Sequence, residues 1–241
     1  NIILGDVSIR FDGSSEFGSD SQWGSFWSVG GGINVHNLKF MKALSWLNQF
    51  KIRGTYGATG KVNYPPYAAR DTYEVLFDDW YSTGVGATLQ GIGNEKLVWE
   101  KTNTTNIGFD LSFFQSKYSL TFSWYNRQTV DMITDVTIPS SAGFTSYKDN
   151  MGETRNRGYE ISLSATILNT KDFGVNAFIN FARNEGRLMK ISESLKAYNE
   201  RVDDYLTLQH TAYANSAEKS EPFLKYEEGG SLTAIYGMKS L

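Results

Sequence analysis

Apolar residues recur at every second position through much of the chain. Ile107, Phe109, Leu111 and Phe113 alternate with Asn106, Gly108, Asp110 and Ser112. After a break at Gln115-Ser116 the pattern resumes in Tyr118, Leu120, Phe122 and Trp124. A second pair of runs follows: Tyr159, Ile161, Leu163, Ala165 and Ile167, then, beyond Asn169 to Asp172, Phe173, Val175, Ala177, Ile179 and Phe181. Successive side chains of a strand point to opposite faces, so each run predicts a β-strand with one apolar and one polar face. Weaker alternation predicts strands at Val7–Phe11, Trp27–Val35 and Phe50–Tyr56, with a last candidate from Ser231 to Tyr236. That makes about eight strands, most of them near the ~9–11 residues needed to cross a bilayer at barrel tilt.

The connections sort into two kinds. Gln115 to Lys117 and Asn169 to Asp172 are tight, whereas Lys61–Val98, Asp131–Met151 and Arg187–Gly229 are long. Between His36 and Gln49, the spacing of Leu38, Met41, Leu44 and Leu47 predicts a helical turn or two. Short and long connections alternate along the chain, which in an up-and-down barrel puts every long loop at one rim. The long loops are therefore expected outside the cell and the tight turns in the periplasm.

A soluble antiparallel sandwich also alternates its faces. Against it stand the strand lengths, above the usual ~5–6 residues, and the number of large apolar side chains pointing one way. The reading is all-β: an antiparallel transmembrane β-barrel, favoured over a soluble β protein. Ile107, Phe109, Leu111, Leu120, Phe122, Ile161, Leu163 and Ile179 are expected to face lipid. Asn106, Asp110, Ser119, Thr121, Glu160 and Asn180 are expected to face the lumen, because a slip by one residue would reverse every side chain.

Composition agrees with this and removes other classes. The chain has 241 residues, 40% hydrophobic, 15% aromatic and 20% charged, which fits neither a disordered chain nor a coiled coil. A net charge of −3 leaves no electrostatic footprint for nucleic acid. The absence of Cys excludes disulfides, thiol catalysis and Cys-based zinc sites, and two distant histidines, His36 and His210, make no His-rich metal centre. Mean hydropathy is −0.38, and no apolar run is long enough for a membrane-spanning helix, which says nothing against spanning strands.

Catalytic and metal motifs fail on their spacing. Thr55–Lys61 ends like a phosphate-binding loop, but Thr55 stands where the first Gly belongs and Val62 where a magnesium-binding hydroxyl belongs. Asp12, Ser14 and Glu16 have calcium-loop spacing, yet Phe17 occupies the required Gly position. Asp78-Asp79 and Asp203-Asp204 read as solvated loop tips. No G-x-S-x-G elbow occurs. No enzyme, cofactor or resident metal is expected. One loop carries a different signal: Lys61–Val98 holds Tyr64, Tyr67, Tyr73, Phe77, Trp80 and Tyr81, with Arg70 and Asp71 among them. Such aromatics either stack on a ligand or form the loop's own core. Tyr64, Tyr67, Trp80 and Tyr81 are the candidate substrate-binding residues.

Several stretches give the chain a familial look. They are Ile9–Ser15, Phe17-Gly18, Trp23–Phe26, Lys51–Gly60, Gly93-Asn94, Leu97 and Trp99–Thr102. They continue with Asn106–Asp110, Tyr125-Asn126, Thr129, Asp131–Ile133, Asn150–Gly152 and Asn156–Glu160. In order and spacing these resemble the SusC/RagA family of TonB-dependent outer-membrane transporters from about residue 4 to 185, and more loosely to Gly237. Phe11, Gln22, Trp27 and Lys61 depart from the family pattern. The resemblance implies a barrel of about 22 strands around a plug, driven by the TonB complex and working with a SusD-like surface lipoprotein to import oligosaccharides or peptides. It also implies that the plug and the terminal strands are not in this sequence, all of which belongs to one barrel domain. The alternative is a self-contained barrel of about eight strands acting as an adhesin or outer-membrane enzyme.

Overall fold

The computed structural model describes residues 1–18, 21–62, 66–137, 143–193, 195–197, 199–200 and 227–231. Tyr64, Asp203, Asp204, His210 and all but the first residue of the last candidate strand lie outside them. The strands are β1 (Ile3–Gly13), β2 (Trp23–Asn34), β3 (Leu47–Lys61), a hairpin of β4 (Thr72–Tyr81) and β5 (Gly84–Gly91), then β6 (Glu100–Phe113), β7 (Tyr118–Thr137), β8 (Ser146–Asn169) and β9 (Gly174–Lys190). Seven form one antiparallel sheet in the order β1-β2-β3-β6-β7-β8-β9, while β4 and β5 pair with each other. Each strand of the main sheet lies beside its predecessor, and β1 does not meet β9 among the described residues.

The register turns the sequence period into continuous rows. Ile3, Ile33, Ile52, Phe109, Phe122, Ile161 and Phe181 lie side by side across all seven strands. Phe50, Leu111, Leu120, Leu163 and Ile179 form the next row of the same face. Between these two, on the opposite face, run Lys51, Asp110, Thr121, Ser162 and Asn180. Every residue expected to face lipid thus shares one face, and every polar alternate shares the other.

The apolar band runs obliquely to these rows. On β1 it spans Ile3–Phe11, starting at the first row; on β9 it spans Phe173–Phe181, ending at that same row. Across the six strand-to-strand steps of the sheet the band has therefore slid by eight residues, the separation of Phe173 from Phe181. At ~3.3 Å per residue and ~4.8 Å between strands this is a tilt of about 40°, inside the ~35–45° of outer-membrane barrels. A flat sandwich has no need of that slope. The band is also bare: Ile3, Val7, Ile9, Phe11, Ile107, Leu163, Ile179 and Phe181 are exposed. Among the described residues the buried apolar ones are Phe17, Phe26, Ala69, Leu97, Trp99, Leu188 and Ile191, all toward the long-loop end. A face this apolar is stable only against lipid or another chain.

Aromatic side chains edge the band on both sides. Trp46, Phe113, Phe114 and Tyr118 gather at the tight-turn rim, and Trp27 meets Tyr56 nearer the long-loop rim. Rings with one apolar and one polar edge suit the membrane interface. The tight turn between β6 and β7 puts Phe114, Gln115 and Ser116 in the left-handed region, at φ of 54°, 58° and 60°. Asn48 holds it through its side-chain oxygen, which accepts from the Ser116 amide at 3.0 Å. The predicted helical segment contains two single 3-10 turns, Val35–Asn37 and Met41–Ala43, and the His36 ring lies 3.2 Å from the Phe50 backbone. The phosphate-loop lookalike ends β3, and Asp12 of the calcium lookalike pairs with Arg10 at 2.7 Å.

Two loops differ from expectation. The connection predicted over Asp131–Met151 is largely strand, because β7 continues to Thr137 and β8 begins at Ser146. A bulge at Asp131, φ 55°, shifts the register between Thr129 and Ile133 and so hides the alternation. The Lys61–Val98 loop contains the β4–β5 hairpin, whose three-residue bulge between Leu76 and Trp80 breaks the period in the same way. Sidedness has a direct test, since the chain lacks Cys. An impermeant thiol reagent added to whole cells should label Ala197→Cys and spare Ser116→Cys; the reverse pattern would invert the topology.

Candidate functional site

The long loop between β3 and β6 is built in two parts, a clamp and a projecting hairpin. The clamp is a small core of Phe17, Phe26, Ala69, Leu97 and Trp99, against which Val62, Ala68 and Ile133 pack. Phe17 stacks on Trp99 with centroids 4.7 Å apart, Phe26 meets the same indole edge-on at 5.6 Å, and the indole N–H donates to the Ser21 carbonyl at 3.0 Å. Two glycines permit the close approach. A Cβ on Gly18 would lie 2.1 Å from the Glu95 carbonyl oxygen, and one on Gly93 would lie 2.2 Å from the Arg70 carbonyl carbon.

Two asparagines complete the clamp by joining the loop to the outer ends of β7 and β8. Asn94 donates to the Lys148 carbonyl at 3.0 Å and to the Asp149 carboxylate at 3.1 Å. Asn150 accepts from the Val98 amide at 2.9 Å and donates to the carbonyls of Val98 and Asp131. Beside them, burial and then the charge of Asp149 push the Tyr147 hydroxyl above its ordinary range, so it stays protonated. Phe17-Gly18, Gly93-Asn94, Leu97, Trp99 and Asn150 come from separate motifs of the sequence. Their convergence could not be read from a sequence pattern, although the motifs themselves were the available signal.

The hairpin stands beyond this clamp with its rings uncovered. Tyr73, Val75 and Trp80 of β4 lie opposite Leu89, Ala87 and Val85 of β5, so together they form one face. Trp80 is 75% exposed, Tyr81 64% and Tyr67, at φ 72°, 66%. These are not core residues. The loop has its own core, made of other side chains, and the predicted binding aromatics Tyr67, Trp80 and Tyr81 are left free. The structure does not bring Tyr67 together with Trp80 and Tyr81 in any ring contact, and Tyr64 is outside the described residues.

The lumen face below is polar and cross-linked. Arg53 donates to Asp110 at 3.3 Å and to Ser123 at 2.7 Å, and Tyr125 donates to Asn184 at 2.9 Å. Among the described residues no group of three or more His, Cys, Asp or Glu is arranged to hold a metal ion.

A tilted wall with a bare apolar band, a polar inner face and long loops at one rim defines an outer-membrane β-barrel. Residues 4–220 match the model of the TonB dependent receptor-like, beta-barrel family, and the chain belongs to that family. It is 30% identical over 98% of its length to TonB-dependent receptor P39 of Formosa agariphila, and 32% identical over 80% to TonB-dependent receptor SusC of Bacteroides thetaiotaomicron. Among solved structures, the RagAB peptide transporter superposes on 80% of the chain with a TM-score of 0.73 and 33% identity. The chain spans about a fifth of the length of each, 20% for the two receptors and 21% for the transporter.

Proposed function

We propose that this chain is the wall and outer-loop portion of an importer of oligosaccharides or peptides. Energy coupling would come from the TonB complex through a plug encoded outside this stretch, and a SusD-like lipoprotein would cap the outer rim. Similarity to SusC and to the RagAB peptide importer favours this reading. So does the open sheet, in which β1 and β9 do not pair among the described residues, against a self-contained barrel of this chain alone. Intact mass decides between the two: several times the 27.1 kDa of this stretch for the importer, and no more than that for the small barrel.

The observation that carries the site is the uncovered hairpin beside a packed, hydrogen-bonded clamp. Exposed rings cost solubility unless something covers them, and flat aromatic faces take up sugar rings or peptide side chains. Tyr64, Tyr67, Trp80 and Tyr81 are assigned to contact with substrate or with the capping lipoprotein. The double change Trp80→Ala with Tyr81→Ala should lower substrate uptake by roughly tenfold, with surface expression and hairpin protease resistance unchanged. Normal uptake in that variant would remove both residues from the site.

A further inference from the structure

Above the apolar band, the outward face becomes strongly cationic over β8 and β9. Arg155 lies directly opposite Arg187, Arg157 opposite Glu185, and Tyr159 opposite Arg183. On β8 these three positions continue the alternate residues that lead down to Ile161 and Leu163, so the arginines share the side of the sheet that carries the apolar band. Arg183 is two residues above Phe181 and Arg187 six, which at the tilt found here is about 5 to 15 Å above the band. This is the depth of lipid headgroups.

The charges there do not balance. Among the described residues, four guanidiniums on this face meet two carboxylates, Glu153 and Glu185. Glu185 accepts from Arg187 at 2.7 Å and from Arg157 at 3.2 Å. With a guanidinium on each of its oxygens, this carboxylate is fully engaged. Glu153 accepts from Gln128 at 2.6 Å. Arg155 and Arg183 have no ion pair among the described residues. Like charges directly opposite each other in a sheet are destabilising, and Arg155 against Arg187 is such a pair. An anion between them would reverse the sign of that interaction.

We infer that Arg155, Arg157, Arg183 and Arg187 bind the phosphate of a phosphorylated glycolipid in the outer leaflet. The guanidinium fork matches phosphate oxygens two at a time, and Arg183, next to the band, reaches a headgroup whose acyl chains lie along Phe181 and Ile179. A lipid is favoured over an acidic protein because cationic and apolar surface are continuous on β8 and β9. The inference rests on the membrane placement of the band, which Leu163→Arg tests separately.

The experiment uses the full-length protein containing this chain, reconstituted in nanodiscs with a phosphorylated glycolipid or with the same lipid after phosphatase treatment, and read by native mass spectrometry. The wild type should retain the phosphorylated lipid through detergent exchange about tenfold or more better than the dephosphorylated one. Arg155→Gln with Arg183→Gln should abolish that preference, while Arg155→Lys with Arg183→Lys keeps part of it. Equal retention of both lipids by the wild type would overturn the site, and this comparison needs no variant to fold. Co-purification of an acidic protein in place of lipid, lost in the glutamine variant, would overturn it in favour of a protein partner.

Discussion

Leu163→Arg is expected to destabilise the barrel by about 2–4 kcal/mol, whereas Ser162→Arg, one residue away, should cost about 0.5 kcal/mol or less. Leu163 lies at the middle of the β8 band, in the row with Leu111, Leu120 and Ile179. A guanidinium there has no water within reach and must snorkel or thin the bilayer. Ser162 lies on the polar face, in the row with Asp110, Thr121 and Asn180, where an added cation stays hydrated and has a carboxylate nearby. Denaturant unfolding in lipid vesicles measures the contrast. Equal costs at the two positions would contradict the lipid-facing assignment of the whole sheet, because one register fixes every row.

Trp99→Ala is the second large effect, about 3–5 kcal/mol, and it should be confined to the outer rim. The indole is buried at 7% exposure, stacks on Phe17, meets Phe26 edge-on and donates to Ser21. Its loss leaves a cavity in a core with few other members, so the segment from Val62 to Val98 should open while the main sheet persists. Hydrogen exchange should rise in β4 and β5 and remain slow in β6 and β7. Trp99→Phe retains ring packing but strands the Ser21 carbonyl, and should fall between the alanine variant and the wild type. Unchanged exchange in Trp99→Ala would show that the clamp does not hold the loop. Comparing this variant with Trp80→Ala separates a ring that positions the loop from one that meets substrate.

Strand identity and facing were legible in the chain because side-chain alternation is a local property. Ile107 through Phe113 and Phe173 through Phe181 declare their faces without reference to any other segment. The loops at Asp131 and Leu76 were illegible for the same reason: bulges insert unpaired residues, and the period, on which the reading depended, is lost there. The candidate aromatics were found by composition, which counts rings but cannot distinguish the buried Trp99 from the exposed Trp80.

By itself, then, the sequence determined that the chain makes long two-faced strands joined by alternately short and long connections, since a period of two requires nothing beyond neighbouring residues. Its motifs also carried the family. The tertiary structure alone decided the tilt of the band, the meeting of Phe17, Leu97, Trp99 and Asn150 in one clamp, and the gathering of Arg155, Arg157, Arg183 and Arg187 on the outward face. Each of these depends on the register between strands, which is set by pairing across residues far apart in the chain.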